Sequence, residues 1–223
     1  MDNEQSAQAA QPQTTAGTGA ARPGTRRPGG RTARTRAAVR DAVLTGLTEH
    51  GYSGLTVEYV AEHSGVHKTT LYRRWGGVDG LVADTLDLAG EDGWAPPDTG
   101  SLDGDLRALA LEVVHSFADP AAAAPSSAVI AAAFQSEPAA QALRAYYAER
   151  FARCEVVVDR AVARGELPGP RSALDGGALV RAVAAPLFFR LFITREGLDE
   201  PDADQAVAIA LAAAHAGTFT RDT

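Results

Sequence analysis

Cysteine occurs once in the 223 residues, at Cys154, so the chain can close no internal disulfide and build no multi-cysteine metal site. That usage fits a reducing compartment, the cytoplasm. Aromatic residues make up only 6% of the chain, and the period-two alternation of strands is nearly absent. With alanine abundant, this points away from sheets and toward closely packed helices. No uninterrupted apolar run approaches the roughly 20 residues of a membrane span, and the N-terminus has no apolar signal-peptide core. The histidines, 50, 63, 67, 115 and 215, offer no zinc pair on one helix face, because a turn separates His63 from His67. A nucleophile elbow, a phosphate-binding glycine loop and a dinucleotide fingerprint are all missing. The expectation is an all-α protein that is not an enzyme, has no cofactor or metal, and meets no membrane.

What is present is unevenly charged. The net charge is −7, yet residues 22–76 carry 10 basic against 4 acidic groups, and residues 81–223 carry 11 against 21. One end suits a polyanion and the rest repels one, so an acidic pI does not exclude nucleic acid. Residues 1–30 read as a disordered polar tail with too few large apolar side chains to offset ordering entropy. Arginines cluster from its end onward, at 22, 26, 27, 31, 34 and 36. They either enter a minor groove as an arm or add only diffuse electrostatic affinity.

Four helices are expected before residue 90. The first covers about 32–50, with Val39, Val43 and Leu47 on one stripe and Gly51 as its stop. Thr56 caps a second over about 57–63, where Leu55 and Val60 form a hydrophobic staple. A third covers about 68–75, with Val66 and Leu71 as its staple, and a fourth about 78–89. Residues 90–100, "GEDGWAPPDTG", read as a hinge. Beyond it lie segments at about 102–118, 126–136, 137–164, 173–195 (kinked at Pro186) and 202–215, making about nine helices.

Ala61, Gly65 and Leu71 stand at offsets 0, +4 and +10, the spacing of a helix-turn-helix. The small residue allows close approach, the glycine a positive-φ turn, and the leucine a plug into the core. With Leu71 and Trp75 inward, Lys68, Thr69, Tyr72 and Arg73 face outward on a basic helix. Those side chains suit base edges and phosphates of a major groove.

The stretch "GLTVEYVAEHSGVHKTTLYRRWGGVDGLVADTL" resembles the DNA-binding domain of the tetracycline-repressor (TetR) family of bacterial regulators. The matching residues are Thr56, Val57, Val60-Ala61, Gly65-Val66, Thr70-Leu71-Tyr72, Trp75, Gly76 and Leu81. The resemblance is specific over about 34–88 and looser afterwards. It implies an N-terminal three-helix helix-turn-helix domain over 31–89 and a C-terminal helical effector-binding and dimerisation domain over 101–217. It implies base contacts from Lys68, Thr69 and Tyr72, and phosphate contacts from Thr56, Thr70 and Arg74, a role that Tyr72 can share, with Arg73 serving either role. Two positions depart from the family. His67 stands where Ser is common, either as a weaker cap or as a contact of its own. Val78 replaces a phosphate-binding Lys, a loss that Arg31, Arg34 and Arg36 would offset.

The resemblance further implies a ligand pocket and a two-helix dimer face after the hinge. His115, Phe117, Phe134, Arg144, Tyr147, Phe151 and Cys154 are the pocket candidates, with ordinary core packing as the competing account of each. Val183, Leu187, Leu191, Val207 and Leu211, on the two apolar last helices, are the dimer candidates. The implied function is a dimeric regulator, a repressor by family default, that binds a palindromic double-stranded operator and is released by a small molecule. The alternative is a helical small-molecule- or protein-binding module that has lost specific DNA binding.

Overall fold

The structure, a computed structural model, describes residues 29–220 apart from 92 and 169. The expected tail therefore lies outside the described residues, except that the first helix already begins at its last two positions. Helix α1 spans Gly29–Gly54, interrupted at Gly51, whose φ of 67° places the expected stop where it was read. Next come α2 (Val57–Ser64), α3 (Lys68–Trp75) and α4 (Val78–Gly90), then α5 (Leu102–Ala118) and α6 (Pro120–Ala132). Helices α7 (Glu137–Arg153) and α8 (Glu155–Ala163) are the two parts of the one long helix expected over 137–164, broken by a turn at Cys154. Helix α9 (Gly176–Phe189) and α10 (Glu200–His215) close the chain. Counting α7 and α8 as one rod gives the expected nine among the described residues.

Boundaries moved where a cap was overlooked. Helix α6 starts at Pro120 rather than at 126, because the Asp119 carboxylate accepts the Ala121 N–H at 2.9 Å and proline suits a first helical position. Helix α9 starts at Gly176 because Asp175 caps Ala178 at 2.8 Å. Helix α10 starts at Glu200 behind a reciprocal pair between Asp199 and Asp202. The helix over α9 runs on through Pro186, and its winding widens into a π turn at Arg190–Thr194.

Two apolar clusters hold the bundle. The first joins α1–α4 through Val39, Val43, Leu47, Val60, Leu71, Leu81 and Val82, and it continues into α6 and α7 through Val129, Ala132, Ala139 and Ala142. The head is thus packed onto the C-terminal helices rather than tethered to them. The second cluster unites α5, α8, α9 and α10, with Leu106, Val157, Val183 and Ala203 at its centre. Each large side chain so buried stabilises by about 1.5–3 kcal/mol before ordering costs.

The segment expected to be a hinge is fastened. Arg153 donates to the Gly90 carbonyl at 2.8 Å, and Arg160 donates to that of Pro97 at 2.8 Å. The buried carboxylate of Asp105 accepts the Thr99 N–H at 2.6 Å and its hydroxyl at 2.8 Å. Any movement of the head must break these bonds or bypass them.

One helix is long and apolar enough to compare with a membrane span, although Arg181 and Arg190 interrupt its apolar run. Gly176–Thr194 forms 19 continuous helical residues, within which an 18-residue window has a mean hydropathy of 1.6, enough to cross a bilayer by length and composition. Its interior face packs instead on α5, α7 and α10. Its arginines are paired, Arg190 with Glu196 and Asp202, and Arg181 with Asp175.

Candidate nucleic-acid interface and ligand cavity

The turn between α2 and α3 forms as its spacing demands. Gly65 adopts φ 68°, ψ 15°, a left-handed conformation costly for side chains. Leu71 is fully buried, and Trp75 and Val66 pack beside it. Anchored this way, α3 turns Lys68, Thr69, Tyr72, Arg73 and Arg74 to solvent, with Thr70 half-buried. Tyr72 is 48% exposed on the same face as the basic side chains. Lys68 is the only lysine in the chain, and its one ion pair among the described residues is a loose one to Glu58 at 3.9 Å, both side chains well exposed. Arg74 lies over the Trp75 ring at 4.9 Å, which holds its stem against the head.

Of the two roles left open for His67, the structure displays the cap. Its Nδ1 accepts the Thr69 N–H at 3.3 Å, and the ring remains exposed. Thr56 caps α2 by accepting the Tyr59 N–H at 3.1 Å, with its side chain exposed beside α3. Arg34 is exposed and donates to the nearby Gly30 carbonyl, while the Arg31 side chain lies outside the described residues.

Arg36 is a correction. It was expected to face DNA, but its guanidinium spans α1 to α4, pairing with Asp84 at 2.9 Å and with Glu91. Both carboxylates, bonding first Asp84 and then Glu91, hold it charged well above its ordinary range. It is only 20% exposed and already has its anions. Arg36→Ala should therefore cost about 1 kcal/mol of stability in a melting experiment and leave DNA affinity nearly as it was. A large loss of DNA affinity without loss of stability would restore it to the interface.

Beyond the head lies a cavity of about 330 Å³. Arg40 and Leu44 of α1 and Thr85, Leu86 and Ala89 of α4 line it, together with Trp94, Cys154 and residues of α5, α6, α7 and α9. Four of the expected pocket residues meet there: Phe117, Tyr147, Phe151 and Cys154. Phe188 completes an aromatic wall, its ring centroid 5.7 Å from Tyr147 and 6.1 Å from Phe117, both edge-on. Burial pushes the Tyr147 hydroxyl up to about 12 and the Cys154 thiol up to about 11, so both stay neutral and the thiol behaves as an apolar surface.

Three expected pocket residues do not reach it. Phe134 is 79% exposed at the turn between α6 and α7. Arg144 points outward and pairs with Glu137 at 2.8 Å. His115 is exposed, one residue out of register with the inward face of α5. The residues missed were Trp94, Glu112, Arg150 and Arg40. Trp94 donates to Glu112 at 3.0 Å, Arg150 pairs with Glu112, and the Arg150 guanidinium sits 3.8 Å from the Trp94 ring centre. A sequence signal existed for one pair, since Arg40 and Leu44 stand at i, i+4 beside the core stripe of α1.

The dimer candidates also need correction. Val183, Leu187 and Val207 are buried within their own subunit, and Val183 even lines the cavity. Leu191 and Leu211 are half-buried. The apolar side chains left in solvent are one helical step away: Phe189 (55% exposed), Ile193 (60%) and Ile209 (63%), with Ala185, Ala208 and Ala212 between them.

A polar node ties head to body. Tyr52 at the end of α1 and Ser136 at the start of α7 both donate to the Asp79 carboxylate in the first turn of α4. Those bonds, Ser136 first, lower the Asp79 pKa below the usual carboxylate range. The stability they supply is present above the unfolded Asp value and is lost as pH falls through the lowered folded one.

Comparison with known proteins decides the identity. The family described as "Bacterial regulatory proteins, tetR family" matches residues 41–85, and "Tetracyclin repressor-like, C-terminal domain" matches residues 96–210, more than half of the chain. The chain belongs to the TetR family. The HTH-type transcriptional regulator AqdR of Rhodococcus erythropolis is 30% identical over 183 residues, covering 81% of this chain and 86% of AqdR. Among solved structures, the TetR family transcription regulator SCO0332 superposes with a TM-score of 0.60 at 32% identity, covering 80% of this chain and 97% of its own. A SmeT–triclosan complex shares the fold at a TM-score of 0.55 and 17% identity, covering 84% and 92%. As a TetR-family member the chain is a helix-turn-helix, DNA-binding transcriptional regulator and not an enzyme.

Proposed function

We propose that this TetR-family regulator is a homodimeric repressor that reads a palindromic operator through α3 and is released by a small molecule bound in the cavity. The observation that carries the reading is the cavity's shared wall. Helices α1 and α4 of the reading head line it together with the C-terminal helices, so a ligand that fills the space touches both. The SmeT–triclosan complex, whose fold is similar, supports a small-molecule role.

In this reading Lys68, Thr69 and Tyr72 contact base edges, and Thr56, Thr70, Arg73, Arg74 and Arg34 position the phosphates. His67 orders the first turn of α3. Arg36 drops out of the set. A ligand that displaces α4 from α7 strains the Asp79 node and the packing of Ala139 and Ala142, moving one head relative to the other. Operator affinity then falls by about 1–3 kcal/mol, roughly 5–150-fold. The protein acts in the cytoplasm, with operator DNA, effector and a second copy as its partners and no membrane. The rival, a binding module without specific DNA recognition, draws on Val78 and on the withdrawal of Arg36. The exposed row on α3 weighs against it.

The dimer places two reading helices about 34 Å apart or a further turn beyond. Selection from a random duplex pool should therefore return an inverted repeat, and enrichment of a single half-site would contradict the dimeric reading. Phe189 and Ile209 supply the centre of the proposed interface. Phe189→Glu with Ile209→Glu should convert the dimer to monomer in light scattering and leave the helical content unchanged. A dimer that survives both charges would move the interface elsewhere.

A further inference from the structure

Resting on the reading of the cavity as the effector site, we propose that its ligand is a compact anionic aromatic molecule whose charge is met by Arg40 on α1. Size sets the first bound. At about 330 Å³ the cavity is at the lower end of ligand sites, which run to about 1,000 Å³. A few fused or linked rings fit such a space.

The walls select for flat rings. Phe117, Tyr147 and Phe188 meet edge-on, and Tyr147 stacks toward Phe151 with centroids 5.9 Å apart. Faces and edges are both presented, which is what offset and T-shaped contacts with a planar ligand require.

Charge selects the substituent. Among the described residues the charged side chains lining the cavity are Arg40, Arg150 and Glu112. Arg150 already answers Glu112 and stacks on Trp94, which donates its own N–H to the same carboxylate. That leaves a surplus of one cation at Arg40. Among the described residues Arg40 is paired with its chain neighbour Asp41, at 2.8 Å, and the Asp41 side chain is 65% exposed. Water screens such a pair, so an anion seated in the cavity can take the guanidinium from it. A cationic ligand meets two guanidiniums and a carboxylate already engaged, and a neutral one gains nothing from Arg40. Because Arg40 rides on the head's first helix, the ligand's charge also ties α1 to the cavity directly. Occupancy is thereby felt by the reading head.

Two fluorescent probes with one ring skeleton test this: 8-anilinonaphthalene-1-sulfonate, which is anionic, and N-phenyl-1-naphthylamine, which is neutral. Titrated into the full-length protein, the anionic probe should bind about tenfold or more tightly than the neutral one. Arg40→Gln should erase that preference, and Arg40→Lys should restore part of it. Ala184→Phe or Ser126→Phe, each adding a ring to the cavity wall, should expel both probes; circular dichroism melts check that every variant is folded. Equal affinity of the two probes, or an anionic preference that survives Arg40→Gln, overturns the proposal while the cavity reading stands, provided the added rings expel both. If neither added ring displaces either probe, the cavity reading fails and the proposal with it.

Discussion

Lys68→Ala combined with Tyr72→Ala abolishes sequence-selective DNA binding and leaves the fold intact. Both side chains are exposed, neither enters the apolar cluster beneath α3, and the loose contact of Lys68 with Glu58 is screened by water. Removing them should leave the melting temperature nearly unchanged. Their proposed work is at base edges, where each good contact is worth about 1–3 kcal/mol of discrimination. Two such losses together reduce affinity for the selected duplex by about 100-fold or more, while binding to random duplex falls far less. Arg74→Ala should behave differently, weakening all duplexes alike and flattening the salt dependence. A double variant that keeps its preference for the selected duplex would show that α3 is not the reader.

Leu71→Ala has the largest expected effect on stability. Leu71 is fully buried where α3 meets Val60, Leu81 and Val82. Emptying that volume costs about 2–5 kcal/mol. For a chain of this length each kcal/mol lowers the melting temperature by about 2–4 °C. DNA binding should fail with it, because the leucine fixes the rotation of α3 that aims Lys68 and Tyr72 outward. Cavity probes should respond as well, since the same cluster continues through Val129 into the wall of the cavity. A loss under about 1 kcal/mol would mean that the site collapses around the smaller side chain and that α3 is held by other contacts.

Lys68, Tyr72 and Leu71 also show what sequence alone can and cannot reveal. The head was legible because its signals are local. A glycine that must adopt positive φ, two caps and two staples fix α2 and α3 within ten or so residues of one another. The exposed face of α3 followed from Leu71 and Trp75. Arg36 was misread because its partners, Asp84 and Glu91, are about 50 positions away, and nothing local shows that a guanidinium is already claimed. The same reason hid the Trp94–Glu112–Arg150 arrangement, which draws on three separate parts of the chain. On α9 and α10 the difficulty was different. Both helices are apolar on more than one side, so hydrophobic pattern could not tell the face buried at home, with Val183 and Val207, from the face left exposed, with Phe189 and Ile209. Two glycines were overlooked for a related reason. A methyl group at Gly80 would run into the Trp75 carbonyl, and one at Gly46 would meet Tyr59 and Leu55. Such close approaches are tertiary facts with no local signature.

The central claim is that α3 reads sequence in a duplex groove. Its most direct test is the ratio of affinities for a pool-selected duplex and for a scrambled duplex of equal length, measured by anisotropy at one fixed salt concentration without inducer. The account predicts a ratio of about 10³ or more. A ratio near one would contradict it.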